Sequence, residues 1–262
     1  MSYGWDADSY EKHSSPQRQW ALDLIRTLEF AGDERVLDIG CGDGKISTEL
    51  AARVPSGLVL GVDEAHVMIR FAQEKSPPSR FPSLRFQHGD ATHLTFCHEF
   101  DLVVSFAALH WIQDYRCILQ GVKRALKPDG RAVLQFGGEG NAATLLAVTN
   151  ELTVHERWRR YFIGFTLPWV FYGISSYRDL INEGGLSAKR VELVPKDMVF
   201  SGKDELRGWI SAVFLPYLER LPKAQREAFT EELAALYLVR QPRDERGAIH
   251  VPMVRLEVEL TR

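Results

Sequence analysis

The sequence predicts an α/β fold in which a mostly parallel sheet carries helices on both faces. Three observations lead there. Short runs rich in Val, Leu and Ile alternate with segments of helical period five times in the first half of the chain. Several of those runs stop at a glycine or an aspartate, as buried parallel strands do before a crossover. The composition, 45% hydrophobic and 26% charged over 262 residues, suits a chain that buries a full core without staples.

Taken in order, residues 1–15 are polar, with Trp5 and Tyr10 as isolated aromatics. Over 17–30, Trp20, Leu24, Ile25 and Leu28 fall at helical spacing, and Gly32-Asp33 ends the helix. ERVLDIG at 34–40 is the first strand, halted by a glycine cluster. A helix at 45–54 and a turn at Pro55-Ser56-Gly57 lead to the second strand, LVLGVD at 58–63, and a helix at 65–74. A proline-rich turn at 77–82 precedes a third strand at 84–91. FDLVVSFAAL at 100–109 is the fourth, followed by a helix at 118–126, a Lys127-Pro128-Asp129-Gly130 turn and a fifth strand at 131–138.

Beyond Gly140 the rhythm changes. Residues 141–172 begin as a helix and end in an aromatic patch, in which Trp158, Tyr161, Phe162 and Phe165 are spaced as the buried stripe of a cap helix. A helix at 177–183 closes at Gly184-Gly185, and a strand is expected at 188–194. Residues 203–240 read as two helices parted at Leu221-Pro222, and the alternating run at 249–260 as a last strand. The regions 141–175 and 196–248 are thus expected to insert helical cover over one edge of a core formed by 17–137, with 249–262 completing the sheet.

The formal net charge is −3 and no long block of like charge occurs, which argues against a nucleic-acid partner. Cys41, Cys97 and Cys117 are odd in number and lack CxxC or CxxH spacing, so neither a disulfide framework nor a metal site is expected, and a reduced, cytoplasmic setting is. No apolar stretch approaches the roughly 18 residues of a membrane span, and the N-terminus has no apolar run of the signal-peptide kind.

The informative segment is Asp38-Ile39-Gly40-Cys41-Gly42-Asp43-Gly44, between a strand and a helix. Glycines serve where the chain turns sharply and a ligand lies against bare backbone, and a helix start offers unpaired N–H groups. A dinucleotide loop would read GxGxxG; here Lys45 holds the place of its third glycine. Asp38 would repel a pyrophosphate but suits a cationic ligand. Asp63, ending the second strand, is placed to accept both hydroxyls of a ribose. Asp90, after the third, could accept from an adenine amino group, although a strand-end aspartate also caps helices.

DIGCGDG, VLGVDEA, GDAT, FDLVVSFAALHW and LKPDGR, in this order, resemble the successive motifs of class I S-adenosylmethionine-dependent methyltransferases over about residues 17–137. Within that superfamily the chain looks most like the trans-aconitate methyltransferase group, and like juvenile hormone acid methyltransferases around Leu109-His110-Trp111. The resemblance implies a Rossmann-like, seven-stranded, mostly parallel sheet with an antiparallel last strand. It implies S-adenosylmethionine as cofactor, with S-adenosylhomocysteine as product. Asp38, Gly40, Cys41, Gly42 and Gly44 would meet its methionine part, Asp63 with Glu64 the ribose, Asp90 with Ala91 the adenine, and Ser105 its centre. Glu64-Ala65-His66 departs from relatives that carry a serine two places after the acid.

His110 is a candidate base or a structural histidine. By the same resemblance Gln17 and Trp111 could hold a substrate carboxylate, and Tyr10, in an N-terminal lid at 1–16, could close over the cofactor. Trp169, Phe171 and Tyr172 lie outside helical period and could line a pocket for a hydrophobic small molecule, opposed by Trp209 and Tyr217. Arg159, Arg160 and Arg207 could reach an acid group or stay solvated. The reading is methyl transfer to a small molecule, a carboxylate being the favoured acceptor. C- or N-methylation and non-catalytic cofactor binding are the alternatives, and a monomer or a homodimer would serve. An aminopropyltransferase would show an acid pair where Ala107-Ala108 stand.

Overall fold

The computed structural model describes residues 3–13 and 15–262; residues 1, 2 and 14 of the expected lid lie outside the described residues. The chain runs α1 (Ala7–His13), α2 (Ser15–Ile25), β1 (Arg35–Ile39), α3 (Lys45–Arg53), β2 (Leu58–Asp63), α4 (His66–Lys75), β3 (Leu84–His88) and β4 (Phe100–Phe106). It continues with α5 (Tyr115–Ala125), β5 (Leu126–Gly137), α6 (Ala143–Val154), α7 (Ile174–Glu183) and β6 (Ser187–Phe200). It ends with α8 (Lys203–Val213), α9 (Leu215–Leu218), α10 (Lys223–Arg240) and β7 (Ile249–Thr261).

The strands form one seven-stranded sheet in the order β3-β2-β1-β4-β5-β7-β6. Neighbours among β1–β5 are parallel, whereas β7 runs antiparallel to both β5 and β6. The order reverses between β1 and β4, and ligands of open α/β sheets bind at such a switch point, outside the carboxyl ends of the strands. Val36, Leu37, Val103 and Val104 at the centre are fully buried. One face is covered by Ala21, Leu24, Ile25, Leu50 and Val54, the other by Tyr115, Ile118, Leu119, Val122, Tyr177 and Ile181.

The antiparallel pair of β6 and β7 runs on past the end of β5. β5 pairs only with residues 255–261 of β7, while residues 249–254 continue in register with β6 alone. This extension carries a further core, in which Met198, Phe200 and Val251 pack with Leu145, Trp158, Trp209, Phe214, Phe229 and Tyr237 from the cap. Pro195 is accommodated because β6 is the edge strand, where a missing N–H costs no ladder bond.

Several expectations are corrected. The helix expected at 17–30 stops at Ile25, where Thr27 Oγ1 donates to the Leu24 carbonyl at 2.7 Å. α5 starts earlier than 118, because the Asp114 side chain caps it by accepting the Cys117 N–H at 3.1 Å. Trp158, Tyr161, Phe162 and Phe165 do not share a helix stripe: a 3₁₀ turn at Arg159–Tyr161 is followed by irregular chain. These rings still pack, and the Trp158 indole donates to Glu232 at 2.9 Å. Residues 203–240 form three helices, with a break at Phe214 because Pro216 has no N–H to continue α8. Among the described residues no helix is long and apolar enough to cross a membrane.

Candidate active site

The glycine loop takes its shape from its conformations. Gly40 and Gly44 have φ of +73° and +78°, and a Cβ on Gly40 would stand 2.2 Å from that of Ala108. The N–H groups of Gly40 and Cys41 donate to the Val62 carbonyl at 2.7 and 3.1 Å, which anchors the loop to the end of β2. Asp63 completes the tie: its Oδ2 accepts the Gly42 N–H at 2.9 Å and its Oδ1 the Ala65 N–H at 2.8 Å.

Of the acids beside this loop, Asp38 lies out of water and Asp63 is half-buried. Asp38 is 1% exposed; burial pushes its carboxyl up to about 7, against a 2.6 Å hydrogen bond donated by Ser47 and with Asp63 and Asp43 adding repulsion. Burial also raises Asp63, while the Ala65 and Gly42 N–H groups oppose it. Among the described residues no cation is ion-paired to Asp38 or Asp63, and carboxylates so placed suit a sulfonium and ammonium cofactor. Asp90 differs. Its oxygens accept from the Thr92 N–H at 2.7 Å and pair with His93 at 2.9 Å, and against some desolvation these bonds hold its carboxyl below the usual range. It caps a 3₁₀ turn and lines the cavity as well.

A cavity of about 480 Å³ opens over this loop. At one end it is lined by Gly40, Gly42, Asp63, Glu64, Asp90 and Ala91; at the other by His110, Trp111, Trp169, Phe171 and Trp209. Tyr10 and Gln17 border both this cavity and a smaller adjoining one that reaches Asp38 and Cys41. Four expected residues are not brought to either. Ser105 is fully buried, donating to the Ile39 carbonyl at 2.7 Å, and pins β4 to β1. Gly44 begins α3 beneath Phe86 and Ala72. Tyr172 packs on Tyr115 and Tyr177, and Tyr217 lies behind Trp169 with its hydroxyl on Asn150 at 3.1 Å. Arg207 is taken up by Asp204, Glu227 and Glu231.

The acceptor end depends on a turn after β4. Ala107 has φ of +54°, and the chain then folds back as a 3₁₀ turn at Leu109–Trp111. His110 is 9% exposed; its Nδ1 accepts the Gly137 N–H at 3.5 Å, and its ring stacks 5.8 Å from Phe171. Burial first, then the nearby Arg255 charge, lowers its pKa well below the ordinary histidine value. Trp111 meets Trp169, Trp5 and Tyr3 edge-on at 5.2, 5.1 and 5.5 Å. The N-terminal segment is tied down by the Gly4 N–H on Glu219 at 2.6 Å and by Lys45 Nζ on the Glu11 carbonyl at 2.8 Å.

Sequence reasoning missed Tyr3, Trp5, Asn141, Met253 and Arg255, all of which line the cavity. One signal pointed to the last. Arg255 continues the buried face Ile249-Val251-Met253 of an alternating strand, where a cation has no structural reason to stand.

A family profile described as "Methyltransferase domain" matches residues 36–130. The chain is 30% identical over 239 residues to the trans-aconitate 2-methyltransferase of Deinococcus radiodurans, covering 87% of each chain. The YcgJ protein of Bacillus subtilis superposes with a TM-score of 0.65 at 21% identity, covering 93% of this chain and 97% of that one. Haemonchus contortus phosphoethanolamine N-methyltransferase 2, solved in complex with S-adenosyl-L-methionine, gives 0.61 at 18% identity, covering 98% of this chain and 56% of that one.

Proposed function

We propose that this chain, which belongs to the class I S-adenosylmethionine-dependent methyltransferases, methylates a carboxylate oxygen of a small hydrophobic acid. One observation carries the acceptor reading: among the described residues, His110 and Tyr10, which line the cavity, are both poorly suited to take a proton. The His110 Nδ1 faces the Gly137 N–H, which leaves its proton on Nε2, and burial keeps the ring neutral and weakly basic. Burial also raises the Tyr10 hydroxyl above the ordinary tyrosine range. An acceptor that arrives already anionic needs no base, whereas a neutral hydroxyl or amine usually does.

In this reading Asp38 and the backbone of Gly40 and Gly42 receive the methionine end of the cofactor, Asp63 with Glu64 the ribose, and Asp90 with Ala91 the adenine. When bound, S-adenosylmethionine supplies a methyl carbon activated by a sulfonium. The protein's own part is alignment and exclusion of water. Trp111, Trp169 and Phe171 wall the acceptor, Trp209 closes the far end, and the N-terminal rings of Tyr3, Trp5 and Tyr10 cover the opening. The Deinococcus relative, a trans-aconitate 2-methyltransferase, is named for a carboxylic acid, which supports this acceptor class.

The test is release of S-adenosylhomocysteine from labelled cofactor across hydrophobic carboxylic acids, polycarboxylates, phenols and amines. Turnover confined to acids is the expected result. Turnover of amines or phenols alone would replace the acceptor with an N or phenolic O atom.

A further inference from the structure

Arg255 is 3% exposed and lines the cavity, yet no carboxylate among the described residues lies within ion-pair distance of it. Its nearest acid along the same face of β7, Glu257, is already engaged. Arg190 holds Glu257 at 2.8 Å, Gln135 Nε2 donates to it at 2.9 Å, and Lys196 stands 3.7 Å away. The Arg255 guanidinium lies 5.0 Å over the Trp20 ring, a π face without net charge, and its Nε has no hydrogen-bond partner among the described residues. Burial brings its pKa down to about 10, partly offset by Tyr10, so it stays charged at neutral pH. A buried ion without a counter-ion is costly to keep.

Its place in the sheet sets it beside the acceptor end of the cavity. Arg255 pairs across the ladder with Gly137, whose N–H meets His110. Trp169 supplies a second donor: its Nε1 is buried, has no hydrogen-bond partner among the described residues, and belongs to a ring lining the same cavity.

We infer that Arg255, with the Trp169 indole N–H, is the anion-receiving end of the acceptor chamber and grips the carboxylate of a monocarboxylic acid. The body of that acid lies against Trp111, Trp169 and Phe171. The inference rests on the carboxylate reading above and adds the residue and the class: one buried cation neutralises one acid group, and the rings leave the others of a polycarboxylate unpaired. A planar guanidinium fork matches a carboxylate in two hydrogen bonds, which fixes orientation as well as charge.

Calorimetry in the presence of S-adenosylhomocysteine tests it, with octanoate, 4-phenylbutanoate, 4-phenylbutanamide and trans-aconitate as probes. The proteins are wild type, Arg255→Met, Arg255→Lys and Trp169→Phe. Wild type should prefer both monoacids over the amide and over trans-aconitate. Arg255→Met should lose acid binding by about tenfold or more, with amide and cofactor binding unchanged, and Arg255→Lys should fall between. Trp169→Phe should lose less. Equal acid and amide binding by wild type overturns the inference, as does cofactor affinity falling in Arg255→Met while acid binding holds; the guanidinium would then serve the cofactor's own carboxylate. If wild type methylates these acids and Arg255→Met does so equally well, the anchor falls and the carboxylate reading stands. If wild type turns over only phenols or amines, both fall.

Discussion

The carboxylate of Asp63 accepts the Gly42 N–H at 2.9 Å, so the last residue of β2 holds the middle of the glycine loop. The same group therefore shapes the loop and, in the proposed site, meets the ribose. Asp63→Asn should weaken cofactor binding by about ten- to a hundredfold, the range of a charge-assisted hydrogen bond lost from a half-buried site. Calorimetry with S-adenosylmethionine checks it, and unchanged affinity would remove Asp63 from the site.

In the proposed site, Asp38 should make cofactor affinity depend on pH. Its carboxyl is raised to about 7 in the fold, so the folded protein holds that proton more tightly than the unfolded chain. Without ligand, stability is thus lost as pH climbs from the ordinary aspartate range through about 7. A cation bound alongside favours the ionised form. Affinity should rise with pH by up to about tenfold per unit below 7 and level off above it. Asp38→Asn should flatten this profile, weaken binding at pH 8, and raise the ligand-free melting temperature there. A flat wild-type profile would contradict the assignment.

Gly40→Ala should destabilise the protein by roughly 1–3 kcal/mol, through an enforced positive φ and overlap with Ala108. Denaturant unfolding reads the change. Because Ala108 precedes the His110 turn, turnover should fall along with stability.

His110→Gln should keep turnover of a carboxylic acid within about tenfold, since a general base contributes about 10²–10⁴. A loss of a hundredfold or more, with a rate limb removed from the pH profile, would make His110 the base. Trp111→Phe should spare cofactor affinity and lower turnover, because the indole N–H is removed while much of the ring packing against Trp5 and Trp169 remains.

The cofactor half was legible because each unit is local. A strand, its glycine or aspartate end and the next helix lie within some twenty residues, so Asp38, Gly40 and Asp63 fall to the same end of the sheet by alternation alone. Ser105 was misplaced for a related reason. A strand buried on both faces carries no polar alternation to show which residues point to which side, and a shift of one exchanges the faces. Ser105 faces the Ile39 carbonyl, whereas its neighbour Phe106 borders the cavity. Tyr172 and Tyr217 were grouped with the pocket because aromatic density is visible in a sequence and direction is not.

From the sequence alone come the alternating α/β architecture, the glycine loop with its acids, and the class of cofactor they suit. These follow from periodicities and turns that act within a few residues. The tertiary structure alone decided what stands opposite the loop. Arg255 reaches the cavity only because β7 enters the sheet antiparallel beside β5, setting it across from Gly137. Trp111 meets Trp5 and Tyr3 in the N-terminal segment, which Gly4 ties to Glu219. Such contacts join segments separated by more than a hundred residues, and no local preference encodes which distant side chains will share one space.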